Sequence, residues 1–328
     1  MTMKKIFVTG ANGLLGTNLV LQLLEQGYEV KALVRRKENF VYPQLDGVEL
    51  VEGDLSDVHR LKTQMKHCDV AVHIAALARH HLLRIEDYMP ANVQGTRNVI
   101  DACLHSGIGR LVYVGTANTF GFGDLQDLGN EQKPMRPPVS RSLYARSKKM
   151  AQDLVDAAAR DLHVTTISPT FMIGPHDTKP SSGRMVLAVA GKRMAFYPPG
   201  GKNFVHVGDV ARAIIRSFDL RPSGEKFIIA HENMTYKEFF RLVAEEYGRK
   251  TLLIPLPRPI LSVVGWGGDL VRKAGVPTQV SSVNLKILGI YNYYDNRKAR
   301  EMLGLAFTPV RQAVREAIDY FRKTGKLA

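Results

Sequence analysis

Through its first half this chain alternates short apolar runs with longer amphipathic ones, and that rhythm narrows the fold more than any other feature. Lys4–Thr9, Glu29–Val34, Val48–Glu52, Val70–Ala75, Arg110–Thr116 and Val164–Ser168 read as strands. Between them, Leu14–Gln26 carries apolar residues at helical spacing and stops at Gly27, and a helix capped by Ser56 runs to His67. Longer helices cover about Glu86–Ser106 and Ser142–Asp161. Strands separated by helices pair in parallel, with the helices on both faces of one sheet. The expected fold class is therefore α/β, a Rossmann-type doubly wound parallel sheet.

After Pro169 the rhythm breaks. Residues 174–204 are rich in Gly, Pro and Lys and read as irregular, Phe204–Val207 and Phe227–Ala230 read as returning strands, and from His231 the chain is mostly helical. This divides the chain into a sheet domain, residues 1–173 plus about 205–230, and a smaller region, residues 174–204 plus 231–328. No apolar run approaches the roughly 20 residues that span a bilayer, and MTMKKIFVTG reads as a strand rather than a leader, so the expected setting is cytoplasmic. Cys68 and Cys103 belong to no CxxC pair and read as buried thiols. The formal net charge of +14 suits anionic ligands or surfaces. Its bases are dispersed, with no aromatic-interleaved tract, which speaks against nucleic acid.

Between the first strand and the first helix stands Gly10-Ala-Asn12-Gly13-Leu14-Leu15-Gly16. Glycines at this spacing allow a tight turn, a close backbone approach to a pyrophosphate and close helix–strand packing. The helix N-terminus adds free N–H groups and partial positive charge. The segment therefore predicts a dinucleotide. An acid usually ends the second strand to hold a ribose 2′-hydroxyl, but here the chain reads Arg35-Arg36-Lys37. A guanidinium there matches a 2′-phosphate, which favours NADP(H), with NAD(H) as the other candidate.

Tyr144-Ala-Arg-Ser-Lys148 places a phenol and an ammonium four residues apart at the start of a helix, hence on one face. The ammonium is expected to lower the phenol pKa so that Tyr144 exchanges a proton with a substrate oxygen. The pair lies 28 residues beyond Thr116, at the strand edge where open α/β sheets bind ligands.

With these residues in place, the chain resembles the extended short-chain dehydrogenases/reductases, of the NAD-dependent epimerase/dehydratase type. The likeness rests on Thr9–Gly16, Gly53-Asp54-Leu55, Val72–Ala76, Asn92–Thr96, Tyr113–Gly121, Tyr144–Lys148, Ser168–Pro175 and Phe204–Ala213, in that order. It implies that Gly10, Gly13 and Gly16, with Asn12, Leu14 and Leu15, cradle the pyrophosphate. Asp54 and Leu55 would meet the adenine, and Ala75 and Ala76 the riboses. Thr116 would bond the substrate oxygen, Tyr144 would act as acid/base, and Lys148 would support it and the ribose. Pro169 would lie near the nicotinamide, and Asn92 would line the cofactor site or satisfy backbone groups. No metal is implied.

Within the family the chain is most similar to dihydroflavonol-reductase-like and hopanoid-associated sugar epimerase-like members. That implies a carbonyl–alcohol interconversion on a small molecule, with the C-terminal part shaping the substrate site, and a homodimer paired through the two long helices. A nucleotide-sugar epimerase or dehydratase with tightly bound NAD is the alternative, and a non-catalytic cofactor sensor a remote one. Ser168 and Lys202 stand where sugar-nucleotide enzymes mostly carry Arg, which argues against a nucleotide sugar. His80 and His81 read as surface residues beside the substrate mouth, His206 as a packing residue, and Ile260–Val271 as a cover over the pocket, with a membrane-surface helix as the minority reading.

Overall fold

The computed structural model describes residues 4–42 and 44–327. Seven strands form one parallel sheet: β1 (Lys5–Thr9), β2 (Glu29–Val34), β3 (Val48–Glu52), β4 (Val70–His73), β5 (Arg110–Val114), β8 (His163–Pro169) and β12 (Glu225–Ile229). Their order is β3-β2-β1-β4-β5-β8-β12, so the chain reverses direction across the sheet between β1 and β4. A crevice opens at such a switch, beyond the carboxyl ends of the strands. The expected α/β doubly wound sheet is the fold observed.

Helices cover both faces. On one, α1 (Leu14–Glu25) packs against α6 (Val207–Arg216), enclosing Ile6, Val8, Leu19, Leu23, Val210 and Ile214. On the other, α2 (Val58–Met65), α3 (Gly95–Ser106) and α4 (Leu143–Ala158) bury Phe7, Leu61, Met65, Val99, Leu111 and Val155. Cys68 and Cys103 are free thiols buried in this second core.

Further strands lie outside the large sheet. A short sheet is built from β9 (Phe171–Ile173), β11 (Gly201–His206), β13 (Glu232–Thr235) and β15 (Tyr291–Asn292), and β10 (Met194–Tyr197) pairs in parallel with β14 (Leu252–Pro255). A further hairpin joins β6 (Phe120–Gly121) to β7 (Asn130–Pro134). The remaining helices are α5 (Arg184–Leu187), α7 (Tyr236–Tyr247), α8 (Arg258–Lys273), α9 (Ser282–Leu288), α10 (Arg297–Leu303) and α11 (Val310–Lys323). The strand expected at Phe204–Val207 is thus β11, in the short sheet rather than the large one. His206 packs at its end: its Nδ1 accepts the Gly208 N–H at 2.8 Å, capping α6, and its Nε2 lies 2.9 Å from Glu316.

Two local expectations are corrected. Asp57, not Ser56, caps α2, because its carboxylate is the group that accepts the Arg60 N–H, at 2.9 Å. The helix expected over Glu86–Ser106 is three pieces: a 3-10 turn (Ile85–Asp87), a π-helical segment (Met89–Gln94) and α3. Pro90 has no N–H to give, and the wider turn that follows it carries Asn92.

Candidate active site

The glycine loop closes the carboxyl end of β1, and its three glycines answer different demands. Gly10 has a φ of +74°, and a Cβ there would stand 2.7 Å from the Ala75 nitrogen. A Cβ on Gly16 would fall 2.1 Å from the Gly10 oxygen. Gly13 differs: it is extended, φ −92° and ψ 174°, and a Cβ would meet only the Gly10 oxygen, at 3.5 Å. Nothing in the protein requires glycine at 13. An anion seated against the α1 N-terminus would, since no side chain caps that helix and its first N–H groups lack an intrahelical acceptor. Asn12 and Leu14 are half-buried around this turn, and Leu15 anchors it in the core. The cradle fits a dinucleotide pyrophosphate.

Below the loop a chain of hydrogen bonds runs between β1, β4 and α3, and its direction is fixed. The Thr96 hydroxyl donates to the Asn92 carbonyl at 2.7 Å, so toward His73 it accepts, from Nε2–H at 3.1 Å. His73 Nδ1 then accepts from the Thr9 hydroxyl at 2.8 Å, and the Thr9 oxygen accepts the Ala75 N–H at 3.2 Å. His73 is therefore neutral, its pKa pushed down to about 3 by burial and then by the Lys148 charge. The Asn92 side chain accepts the Leu77 N–H at 2.6 Å and donates to the Leu77 carbonyl at 3.2 Å and to Ser147 Oγ at 2.9 Å. These contacts give it the backbone-satisfying role and tie the loop after β4 to α4.

Beyond β2 and β3 a cleft of about 810 Å³ is lined by Arg35, Lys37, Asp54 and Arg60 among others. Arg35 faces it; Arg36, at the start of a 3-10 turn, is exposed beside it. Asp54 accepts the Ser56 N–H at 2.9 Å, and that bond, with Arg35 as a weaker cause, holds its carboxyl below the usual range. Leu55 packs against Gly95 at the start of α3, while Ala75 and Ala76 line the turn after β4 and are partly open. Arg60 was not legible in advance, because it lies on α2, outside every motif.

Thr116, Tyr144 and Lys148 converge at the ends of β5 and α4. Ser142 Oγ caps α4 at Ala145 N–H, which sets Tyr144 in the first turn and Lys148 one turn on. The Thr116 hydroxyl accepts the Asn118 N–H at 3.3 Å and is close enough to the Tyr144 phenol to favour its ionised form. Lys148 Nζ donates to the Val114 carbonyl at 2.8 Å and lies 4.4 Å from the centre of the Tyr113 ring. Pro169 is buried at the end of β8, and the Ser168 hydroxyl beside it is buried without a partner.

The electrostatics correct one expectation. Tyr144 is half-buried and ringed by protein, and the loss of water pushes its pKa up to about 12; the nearby Thr116 hydroxyl opposes that shift. Burial also pushes Lys148 down to about 7. With the ammonium destabilised and turned to Val114, the phenol keeps its proton, where the sequence predicted a lowered pKa.

His80 is the residue the sequence undervalued. Its ring stands edge-on to Tyr144, centroids 5.1 Å apart, and burial, then Lys202 and Arg184, pushes its pKa down to about 4. Part of it is open to solvent while protein surrounds the rest, so both its exposure and its depressed basicity hold. Lys202 lies 5.3 Å from the Phe171 ring centre, its own pKa lowered to about 8 by burial. Neither position carries a spacing signal, because the contact is made by loops distant in sequence.

The model of the NAD dependent epimerase/dehydratase family matches residues 6–230. A putative dihydroflavonol 4-reductase of Synechocystis is 31% identical, over 97% of this chain and 95% of that protein. Sterol demethylase protein B of Methylococcus capsulatus is 28% identical, over 98% and 99%. Among solved structures, gox2253 superposes with a TM-score of 0.86 at 30% identity, covering 99% of this chain and all of that one.

Proposed function

This chain belongs to the NAD-dependent epimerase/dehydratase family and is an extended short-chain dehydrogenase/reductase enzyme acting on a small molecule; from that premise we propose that it uses NADP(H) to reduce a carbonyl to an alcohol, with Tyr144 as the proton donor. The carrying observation is the protonated phenol. With its pKa raised to about 12 by burial, Tyr144 is a neutral acid beside Thr116 at the carboxyl edge of the sheet. A group in that state donates a proton to a carbonyl oxygen more readily than it removes one from an alcohol.

The nicotinamide supplies the hydride when bound. The chain supplies the rest. Gly10, Gly13, Gly16 and the α1 N-terminus hold the pyrophosphate, with Asn12, Leu14 and Leu15 shaping the turn. Asp54 and Leu55 border the adenine, Ala75 and Ala76 the riboses, and Pro169 the ring that donates. Thr116 fixes the substrate oxygen, Lys148 offers a cation to the ribose, and Asn92 holds the loop after β4 in place. Arg35, facing the cleft past β2, supports the choice of a 2′-phosphate, and Arg60 in the same cleft strengthens it. The name of one relative, a putative dihydroflavonol 4-reductase, supports reduction of a carbonyl. By family analogy α3 and α4 pair with their copies in a homodimer; light scattering that gives a single 36.5 kDa species rejects that assembly.

The test is NADPH oxidation across a panel of ketones and aldehydes by the wild type and Tyr144→Phe. Phe keeps the shape, so the fold and cofactor affinity should hold while kcat falls by roughly two to four orders of magnitude, about 3–5 kcal/mol. Retention of more than about a third of wild-type kcat, a loss below about 1 kcal/mol, rules out Tyr144 as the donor. Purified protein that carries NAD and turns over nucleotide sugars without net NADPH use overturns the reductase reading.

A further inference from the structure

Helix α8 is built with its small residues inward and its large apolar ones outward. The side packed on the protein carries Leu261, Gly265 and Gly268. A Cβ at Gly265 would stand 3.0 Å from Ser282 Cα, and one at Gly268 would stand 2.3 Å from the Val280 oxygen, so the helix lies directly on the backbone before α9. The opposite side carries Ile260, Val263, Val264, Trp266, Leu270 and Val271, all exposed, Val263 at 69% and Trp266 at 64%. An ordinary surface helix turns its apolar stripe to the core. The pocket cover expected from this segment is thus only partly what is found: the helix caps the loop beside the cleft, through Arg272 bonds to the carbonyls of His81 and Leu82, but its apolar face looks away.

The charges of the segment that carries this face are one-sided. From Gly248 to Ile290 the chain has six cations, Arg249, Lys250, Arg258, Arg272, Lys273 and Lys286, and one carboxylate, Asp269. That carboxylate is turned inward, accepting the Ser282 N–H at 3.0 Å, and Arg272 is turned inward too, to the carbonyls of His81, Leu82 and Thr278, which leaves five cations in the segment. Two copies of such a face would bring like charges together, on a chain whose net charge is already +14. An anionic lipid surface meets both needs: apolar side chains enter the headgroup boundary, an indole sits at the interface, and cations at the rim meet phosphate. We propose that α8 docks this enzyme in the plane of an anionic membrane surface, with Ile260, Val263, Val264, Trp266, Leu270 and Val271 as the inserted face.

The molecule carries its own reporter, because Trp266 is the only tryptophan in the sequence. The full chain is mixed with vesicles of phosphatidylcholine plus phosphatidylglycerol, and separately with phosphatidylcholine alone. Sedimentation with the anionic vesicles, a blue shift of the tryptophan emission and weakening by salt are the expected results. The double variant Val263→Ser, Leu270→Ser changes two exposed side chains and keeps the tryptophan; its partitioning should fall about tenfold or more, with NADPH oxidation in free solution unchanged. Failure of the wild type to sediment, or an emission spectrum unmoved by anionic vesicles, overturns the proposal. So does a lipid-free wild type whose oligomeric state the double variant breaks, since the face would then belong to a second copy.

Discussion

Helices α1 and α8 are seated by the same device and end with opposite surfaces. Each reaches a neighbouring backbone through glycine: Gly16 closes on Gly10 and Ala11, and Gly268 closes on Val280. Around α1 the rest of the apolar surface is also covered, by the sheet and α6, so what it offers the outside is its N-terminus. Around α8 only the glycine side is covered, and what it offers is aliphatic and indole surface. A glycine face therefore reports how closely two backbones meet, while the opposite face reports the medium: protein for α1, something other than water for α8.

The hardest blow to this comparison is Gly16→Ala. Its Cβ would strike backbone at 2.1 Å, with no side chain to swing aside, so a loss of about 3 kcal/mol or more is expected in urea unfolding. Gly268→Ala meets the Val280 carbonyl at 2.3 Å, but α8 lies at the edge and can lift, so the expected sign is faster amide exchange over 258–288 with the main unfolding transition nearly unmoved. If both variants unfold the molecule equally, the edge helix is part of the core and the contrast fails.

Helix α4 supplies an intermediate case, a charge buried where the other two bury glycine. Lys148 titrates near 10.5 in the unfolded chain and near 7 in the fold. Between those values the unfolded chain holds a proton that the fold does not, so stability rises with pH across the window and the penalty is fullest below it. Lys148→Met should therefore stabilise the cofactor-free protein by about 2 kcal/mol near neutral pH, with the gain shrinking toward 10.5. It should abolish catalysis at the same time, and a destabilised variant would show that the Val114 bond outweighs desolvation.

Arg35→Asp sharpens what α1 offers. Calorimetric titration should show NADPH binding at least about tenfold tighter than NADH in the wild type, about 1.4 kcal/mol, with the preference lost or reversed in the variant. The smallest effect expected on the fold is that of Gly13→Ala: unfolding should shift by less than about 0.5 kcal/mol, while cofactor affinity falls, because only a ligand needs that space.

What the sequence revealed follows how local the physics is. The strands β1, β4 and β5 were legible because a buried parallel strand is apolar on both faces, and the glycine turn because its three positions lie within seven residues. Tyr144 and Lys148 were legible because one turn of helix fixes their relation. The break at Met89–Gln94 was not, since apolar spacing does not register one extra residue in a turn. Nor was the short sheet, whose pairing of Gly201 with Tyr291 joins positions 90 residues apart. The charge state of Tyr144 was misjudged because burial, which decides it, depends on Tyr88 and on walls contributed by other elements.

The directed hydrogen bonds under the glycine loop restrict how this sequence can drift. At every bond from the Ala75 N–H through Thr9, His73 and Thr96 to the Asn92 carbonyl, giver and taker are fixed by the bond next to it. Ser can replace either Thr without loss of the pattern. Most other single changes leave a buried donor or acceptor without its mate, which costs about 1–3 kcal/mol before any benefit arises. The residues that floor the site therefore change as a set or hardly at all, whereas on the outer face of α8 one apolar side chain can replace another singly without leaving a buried donor or acceptor unmatched.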